Sequence, residues 1–151
     1  MDEPFQALLA YWGEHRIQLR QSEDQRSALT NYVLIVVSGL TGFIVQQQFR
    51  PRTLPLCILI TGIGLYGAIC AAKYHERAQY HLIQARVLTR VLQTQGALPD
   101  NRDALDEGRQ AHYAKYPRLH RLRLYQLWIG LHIGIAAFGA TLAIISVTRI
   151  R

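Results

Sequence analysis

The chain has 151 residues, a net charge of +7 and a mean hydropathy of +0.02, values that alone would suit a soluble domain. The charged residues, 18% of the total, are unevenly distributed: the windows 28–45, 54–72 and 127–147 contain no Asp, Glu, Lys or Arg. Soluble core helices have one apolar stripe, whereas these windows are apolar all round and approach the ~20 residues that cross a bilayer. This distribution excludes a simple globular enzyme, a secreted disulfide scaffold and a disordered tail.

The first part of the chain predicts a long helix. Residues 1–27 are a cytoplasmic segment whose positions 4–27 read as an amphipathic helix. One face of it carries Phe5, Leu8, Leu9, Trp12 and Leu19. No Pro or Gly separates Gly13 from Gly39, so the helix can run straight into the first span at 28–45.

The second span, at 54–72, completes a transmembrane hairpin over 28–72. A turn at 50–53 precedes it, and Pro55 lies in the first helical turn, where proline is tolerated. We expect the helix to continue past the membrane until Gly96. Its continuation carries a narrow apolar seam suited to packing against another helix. The seam consists of Ala78, Leu82, Ala85, Leu88 and Leu92.

The rest of the chain predicts a cytoplasmic segment and one more span. Within 73–126 we expect a turn at 96–100 and a short polar helix at 102–115 that ends before Pro117. Residues 127–151 form the third span and a short tail. The predicted fold class is therefore all-α: an integral membrane helical bundle of three transmembrane helices with cytoplasmic helical extensions.

The distribution of Lys and Arg predicts the orientation, because these residues favour cytoplasmic loops. Three precede the first span, two lie in the 46–53 loop, ten lie between the second and third spans, and two follow the third. The N-terminus and 73–126 are thus expected in the cytoplasm, with the loop and the C-terminus outside a bacterial inner (plasma) membrane. No signal peptide pattern precedes the first window, which we expect to act as an uncleaved anchor.

The residues offer little for catalysis, and neither an enzyme nor a cofactor is predicted. The histidines show no zinc-site spacing, and no nucleophile lies beside a recognisable base. Gly62, Gly64 and Gly67 match the spacing of a dinucleotide-binding loop, but they lie inside an apolar span rather than between a strand and a helix.

The first span has a polar stripe, within about 60° of one line on a helical wheel. It consists of Ser27, Asn31, Ser38, Gly42 and Gln46. The functional interpretation is a pore-lining face. The alternative is a helix–helix face held by hydrogen bonds, which is common for polar residues in spans.

His132 is the only ionisable group well inside a predicted span, and such groups are functional candidates. It could form a constriction or pH-sensitive gate, ligate haem, or hydrogen-bond to a neighbouring helix. Haem ligation would need a second histidine at similar depth, for which His75 is the nearest option.

A cytoplasmic basic pocket is the predicted ligand site. Arg guanidinium groups interleaved with tyrosines suit the phosphates and bases of nucleotides or short single strands. The arginines are Arg77, Arg86, Arg90, Arg118, Arg121 and Arg123. The alternative is a solvated helix surface with charges that contact lipid headgroups.

The order of these segments resembles the small membrane effectors of bacterial anti-phage systems. The likeness covers about residues 5–95 and is carried by YWGEHR at 11–16, two short spans, and KYHERAQYH at 73–81. Two-span SLATT domains share this layout, and the membrane channel of the Hailong system is similar. The resemblance implies a protein that stays inactive in the inner membrane until a nucleotide or nucleic-acid signal triggers collapse of the membrane barrier.

The sequence therefore predicts an oligomeric inner-membrane channel or pore-forming effector, gated from the cytoplasm and acting in anti-phage defence. Three helices of one subunit pack solid, so a pore needs a ring of subunits, most simply a cyclic homo-oligomer. The expected partners are the bilayer, further copies of the chain, and a nucleotide, a short nucleic acid or a regulatory protein. The alternatives are a non-conducting adaptor that recruits a cytoplasmic partner and a haem-binding redox subunit.

Overall fold

The computed structural model describes residues 3–96 and 102–148, which form four α-helices and two short 3-10 segments without any strand. The helices are α1 (Glu3–Gln46), α2 (Leu54–Thr94), α3 (Arg102–Lys115) and α4 (Leu124–Thr148). The 3-10 segments are Pro51–Thr53 and Leu119–Arg121. The predicted all-helical class is confirmed for these residues. The tail at 149–151, the first two residues and most of the predicted turn at 96–100 lie outside them.

Each of the two longest helices, α1 and α2, combines a predicted cytoplasmic segment and a predicted span in one continuous helix. The 44 residues of α1 run without a break from the amphipathic N-terminal segment through the first span, and the 41 residues of α2 continue the second span to Thr94. Gly96 follows α2 with φ +71°, the left-handed conformation in which glycine commonly ends helices. The chain reverses direction after α1, and Gln48 and Phe49 in this turn also have positive φ angles, of 55° and 56°.

Three helices, those that contain the predicted spans, are long and apolar enough to cross a membrane. The apolar stretch of α4 occupies nearly the whole helix, whereas those of α1 and α2 occupy about half of each.

The chain divides into two compact units. One comprises Met1–Ser22 and Glu76–Leu124 and is called here the polar unit. The other comprises Glu23–His75 and Tyr125–Arg151 and is called the apolar unit. The boundaries between these two units lie at 22/23, 75/76 and 124/125. The sequence predicts the boundaries between cytoplasmic and membrane segments at 27/28, 72/73 and 126/127, which differ from them by two to five residues.

Within the polar unit, the first half of α1 packs against the second half of α2 through the predicted seam. Ala78, Ala85 and Leu92 are buried at seven-residue spacing, and Leu82 and Leu88 are half-buried beside them. Small residues at two of the three buried positions let the helices approach closely. The seam read from the sequence is therefore confirmed.

Cross-links from α1 fix the register of this pair. Trp12 donates its indole N–H to the hydroxyl of Thr89 at 3.0 Å, and Arg77 donates to the side-chain oxygen of Gln18 at 3.0 Å. Because Trp12 meets a position late in α2 and Gln18 meets an early one, the two helices run antiparallel.

Within the apolar unit, α1, α2 and α4 share one hydrophobic core. It consists of Val33, Val37, Ile44, Cys57, Ile60, Ile135 and Leu142. Glycines bring α2 and α4 into backbone contact: Gly64 lies against Ala136, and a Cβ at Gly139 would lie 2.6 Å from the backbone nitrogen of Thr61. By contrast, Gly42, Gly130 and Gly134 have open space at the Cβ position.

We therefore predict that Gly139→Ala destabilises the protein, because the added methyl forces α2 and α4 apart. The expected cost is about 1–3 kcal/mol, the usual range for overpacking a tight core. Thermal unfolding of the detergent-solubilised protein measures this loss. Gly134→Ala on the same helix is the matched control, and an equal loss in both variants would contradict the packing described here.

Candidate functional site

The predicted polar stripe lies on the face of α1 that its own chain does not cover. Asn31, Ser38, Gly42 and Gln46 are all exposed. The buried row of α1 lies about 140° away around the helix, given 3.6 residues per turn. That row contains Arg26, Thr30, Val33, Val37 and Ile44. The stripe is therefore not a packing face for α2 or α4 within the apolar unit.

No described residue hydrogen-bonds to the side chains of Asn31 or Ser38. Ile35 is exposed on the same line of the helix, between Asn31 and Ser38, and Tyr32 and Phe43 are exposed beside that line, so apolar side chains both interrupt and border the polar positions. Water would satisfy these polar groups, but hydrocarbon would not, and an unsatisfied polar group in hydrocarbon costs several kcal/mol.

His132 lies on the opposite side, fully buried inside the apolar unit. Its Nε2 is 3.2 Å from the hydroxyl of Thr30 on α1, and its ring lies directly against Gly67 on α2. Its Nδ1 is buried and has no hydrogen-bond partner among the described residues. His132 therefore joins three helices and does not share a surface with the polar stripe.

The haem interpretation of His132 has no geometric support. Its ring is enclosed by Thr30 and Gly67, while the ring of His75 stacks on Tyr125 with centroids 4.0 Å apart. Among residues 3–96 and 102–148, no group of three or more His, Cys, Asp or Glu side chains is placed to hold a metal ion.

The six arginines of the predicted ligand pocket are all exposed and form no single cluster among the described residues. Arg77 and Arg86 are nine residues apart on α2, which places them on opposite sides of the helix. Arg86 and Arg90 share one face. The other three, Arg118, Arg121 and Arg123, lie in and around the second 3-10 segment.

A histidine pair that the sequence analysis missed lies in the polar unit. The Nδ1 atoms of His15 on α1 and His81 on α2 are 2.9 Å apart, and the Tyr11 ring meets the His15 ring edge-on. His15 is buried, and its Nε2 has no hydrogen-bond partner among the described residues. One ring must donate and the other accept, so the contact requires at least one neutral imidazole. The two histidines are 66 residues apart in the sequence, so only the register of α1 against α2 reveals the pair.

A second missed site lies in the apolar unit, between the start of the first charge-free window and the start of the third. Arg26 is 94% buried, and its guanidinium carbon lies 5.4 Å from the centroid of the Trp128 ring. The Nε of Arg26 and the Nε1 of Trp128 are both buried without a partner among the described residues. In the sequence, Arg26 contributes only one charge to the distribution of Lys and Arg, and nothing there indicates its burial against Trp128.

Comparison with protein-family models, with curated proteins and with solved structures finds no match for this chain.

We predict that the polar unit loosens as the pH falls below about 6.5. Burial lowers the pKa of His81, and the neighbouring His15 and Arg77 lower it further, while Glu14 acts in the opposite direction. An unfolded chain therefore binds a proton at His81 more readily than the folded one, so stability is full above the unfolded pKa and is lost below it. Hydrogen exchange of α1, corrected for the intrinsic rate, should show less protection at pH 5.5 than at pH 7.5.

The matched variants are His81→Gln and His112→Gln, since His112 is exposed. His81→Gln should remove most of the pH dependence and His112→Gln should leave it unchanged. A pH dependence that survives in His81→Gln would show that another group causes it.

Proposed function

We propose that this chain is a membrane-spanning subunit of a homo-oligomeric channel, with the polar stripe of α1 facing the conduit between subunits. The observation that carries the proposal is that Asn31, Ser38 and Gln46 are exposed on a stretch of helix whose other exposed residues are aliphatic, aromatic or glycine. A lone subunit in lipid would leave Ser38, about 15 Å into the first charge-free window, in hydrocarbon, with Asn31 and Gln46 close to the two ends of that window.

The proposed membrane location is supported by the absence of charged residues from the three apolar windows. Each helix that could cross a bilayer contains a charge-free window of about the required length. The excess of Lys and Arg between the second and third spans supports a cytoplasmic polar unit in a bacterial inner membrane.

The need for several subunits follows from the core. The three helices of the apolar unit pack around buried side chains and leave no route for ions along their centre. A conduit must therefore lie between copies. Gly42 on the stripe has open space around it, so a neighbouring helix or a water column can come close to the α1 backbone. Subunits that share one membrane orientation form a cyclic ring most simply.

Gating from the cytoplasm and a role in anti-phage defence are part of the proposal through the resemblance in segment order. The arginines provide two separate basic groups rather than one pocket: Arg86 with Arg90 on one face of α2, away from Arg77, and the three arginines around Leu119–Arg121. A nucleotide or nucleic-acid signal would engage one of them, and a regulatory protein could engage both.

The second candidate is a non-conducting adaptor. It is favoured by one observation: every described side chain from 103 to 124 is exposed, so α3 and the segment after it present a large uncovered surface. In this case the stripe holds subunits together by hydrogen bonds and encloses no water.

The discriminating experiment measures ion flux from liposomes that contain the purified full-length protein, with and without nucleotides or short DNA. The double variant Asn31→Leu, Ser38→Ala should reduce flux at least tenfold, because it replaces the polar lining with apolar side chains. Thr141→Ala is the control, since Thr141 is an exposed hydroxyl on α4 that donates to its own helix.

Flux that is equal in the double variant and the control would contradict a conduit lined by the stripe. No flux under any condition, together with monomeric protein, would end the channel proposal. Oligomeric protein that does not conduct but retains a partner protein would favour the adaptor.

A further inference from the structure

Arg26 carries a buried positive charge that no described residue neutralises. A guanidinium stays protonated at any physiological pH, and a buried cation without a partner is strongly destabilising. Arg26 is 94% buried, yet no hydrogen bond or ion pair joins its guanidinium to a described residue. The ring of Trp128 offers a cation–π contact at 5.4 Å, which neither neutralises the charge nor satisfies the N–H groups.

Trp128 adds a second unsatisfied donor at the same place. Its indole N–H is buried and has no partner among the described residues. The guanidinium, with its own unpaired N–H, and the indole N–H beside it need an acceptor that carries negative charge and several oxygens. A phosphate group has both properties and pairs with guanidinium groups through two parallel hydrogen bonds.

The position of the two residues suggests where the phosphate comes from. Arg26 lies two residues before the charge-free window at 28–45, and Trp128 lies at the start of the window at 127–147. If these windows cross the bilayer, both residues lie at headgroup depth on the same side. Tryptophans are enriched at that depth, and basic pockets between helices on the cytoplasmic side bind anionic headgroups.

We propose that Arg26 and Trp128 form a binding site for a phosphate group, supplied by the headgroup of an anionic phospholipid. The site lies between α1 and α4, at one end of the apolar unit. The nearby carboxylates on α1, Glu23 and Asp24, are exposed and form no ion pair with Arg26. The small exposed remainder of Arg26 is where headgroup oxygens approach. The lipid source rests on the proposed membrane location but does not require conduction.

The test compares additives to the full-length protein in a neutral detergent. Phosphatidylglycerol should raise the thermal unfolding midpoint by about 2–4 °C more than phosphatidylcholine does, which corresponds to about 1 kcal/mol for a chain of this size. Native mass spectrometry should show phosphatidylglycerol retained on the protein. Millimolar inorganic phosphate is the third additive, and it distinguishes a free phosphate from a lipid headgroup.

The variants isolate the two donors. Arg26→Gln should abolish the difference between the two lipids, and without added lipid it should unfold at the same temperature as the wild type or higher, because it removes an unpaired charge. Trp128→Phe keeps the stacked ring but removes the N–H, so it should reduce the difference. Arg20→Gln is the matched control, as Arg20 is an exposed arginine on the same helix.

Each outcome decides the matter. Equal stabilisation by inorganic phosphate and phosphatidylglycerol would support the phosphate site and overturn the lipid source. A lipid difference that persists in Arg26→Gln, or that is absent from the wild type, would overturn the site. If Arg26→Gln does not fold, Trp128→Phe carries the test. Because the assay involves no flux, a protein that binds the lipid but does not conduct would overturn only the channel.

Discussion

One constraint governs the buried and exposed polar side chains of this protein: a polar group that leaves water must find a partner, and hydrocarbon offers none. In the apolar unit, Thr30 and the Nε2 of His132 meet this constraint by pairing with each other, whereas the buried Nδ1 of His132 has no partner among the described residues. Asn31 and Ser38 do not meet it within the described residues, and neither does Arg26, whose contact with an aromatic ring satisfies none of its N–H groups. The unsatisfied groups are the basis of the two proposals made above, neighbouring copies on one face and a phosphate at one end.

The polar unit and the apolar unit solve their packing problems differently. In the polar unit, the alanines of the α2 seam admit α1 closely, and side-chain cross-links such as Trp12 to Thr89 set the register. In the apolar unit, glycines bring the backbones of α2 and α4 together, as at Gly64 and Gly139. Close van der Waals contact of this kind is what would hold the helices together in a bilayer, where lipid offers no hydrophobic force between them.

Much of the fold could be predicted because it follows from local pattern. Charge-free length predicts the three apolar helices, and the seven-residue repeat predicts the seam that begins at Ala78. The contacts between helices could not be predicted in this way. The pairing of His15 with His81, and the packing of Trp128 on Arg26, depend on the rotation and register of whole helices. Sequence periodicity places Ser38 and the other polar positions on one line of α1 but cannot tell whether other helices of the chain cover that line.

The most direct measurement of the central claim is the reactivity of single cysteines toward a charged, membrane-impermeant thiol reagent in native membranes. Ser38→Cys and Ala137→Cys, each in a chain without Cys57 and Cys70, lie about 15 Å into the first and third windows and are both exposed in the isolated subunit. The account predicts that Ser38→Cys reacts, because it faces a water-filled conduit between subunits, and that Ala137→Cys is protected by lipid. Protection of both positions, or equal reaction of both, would contradict it.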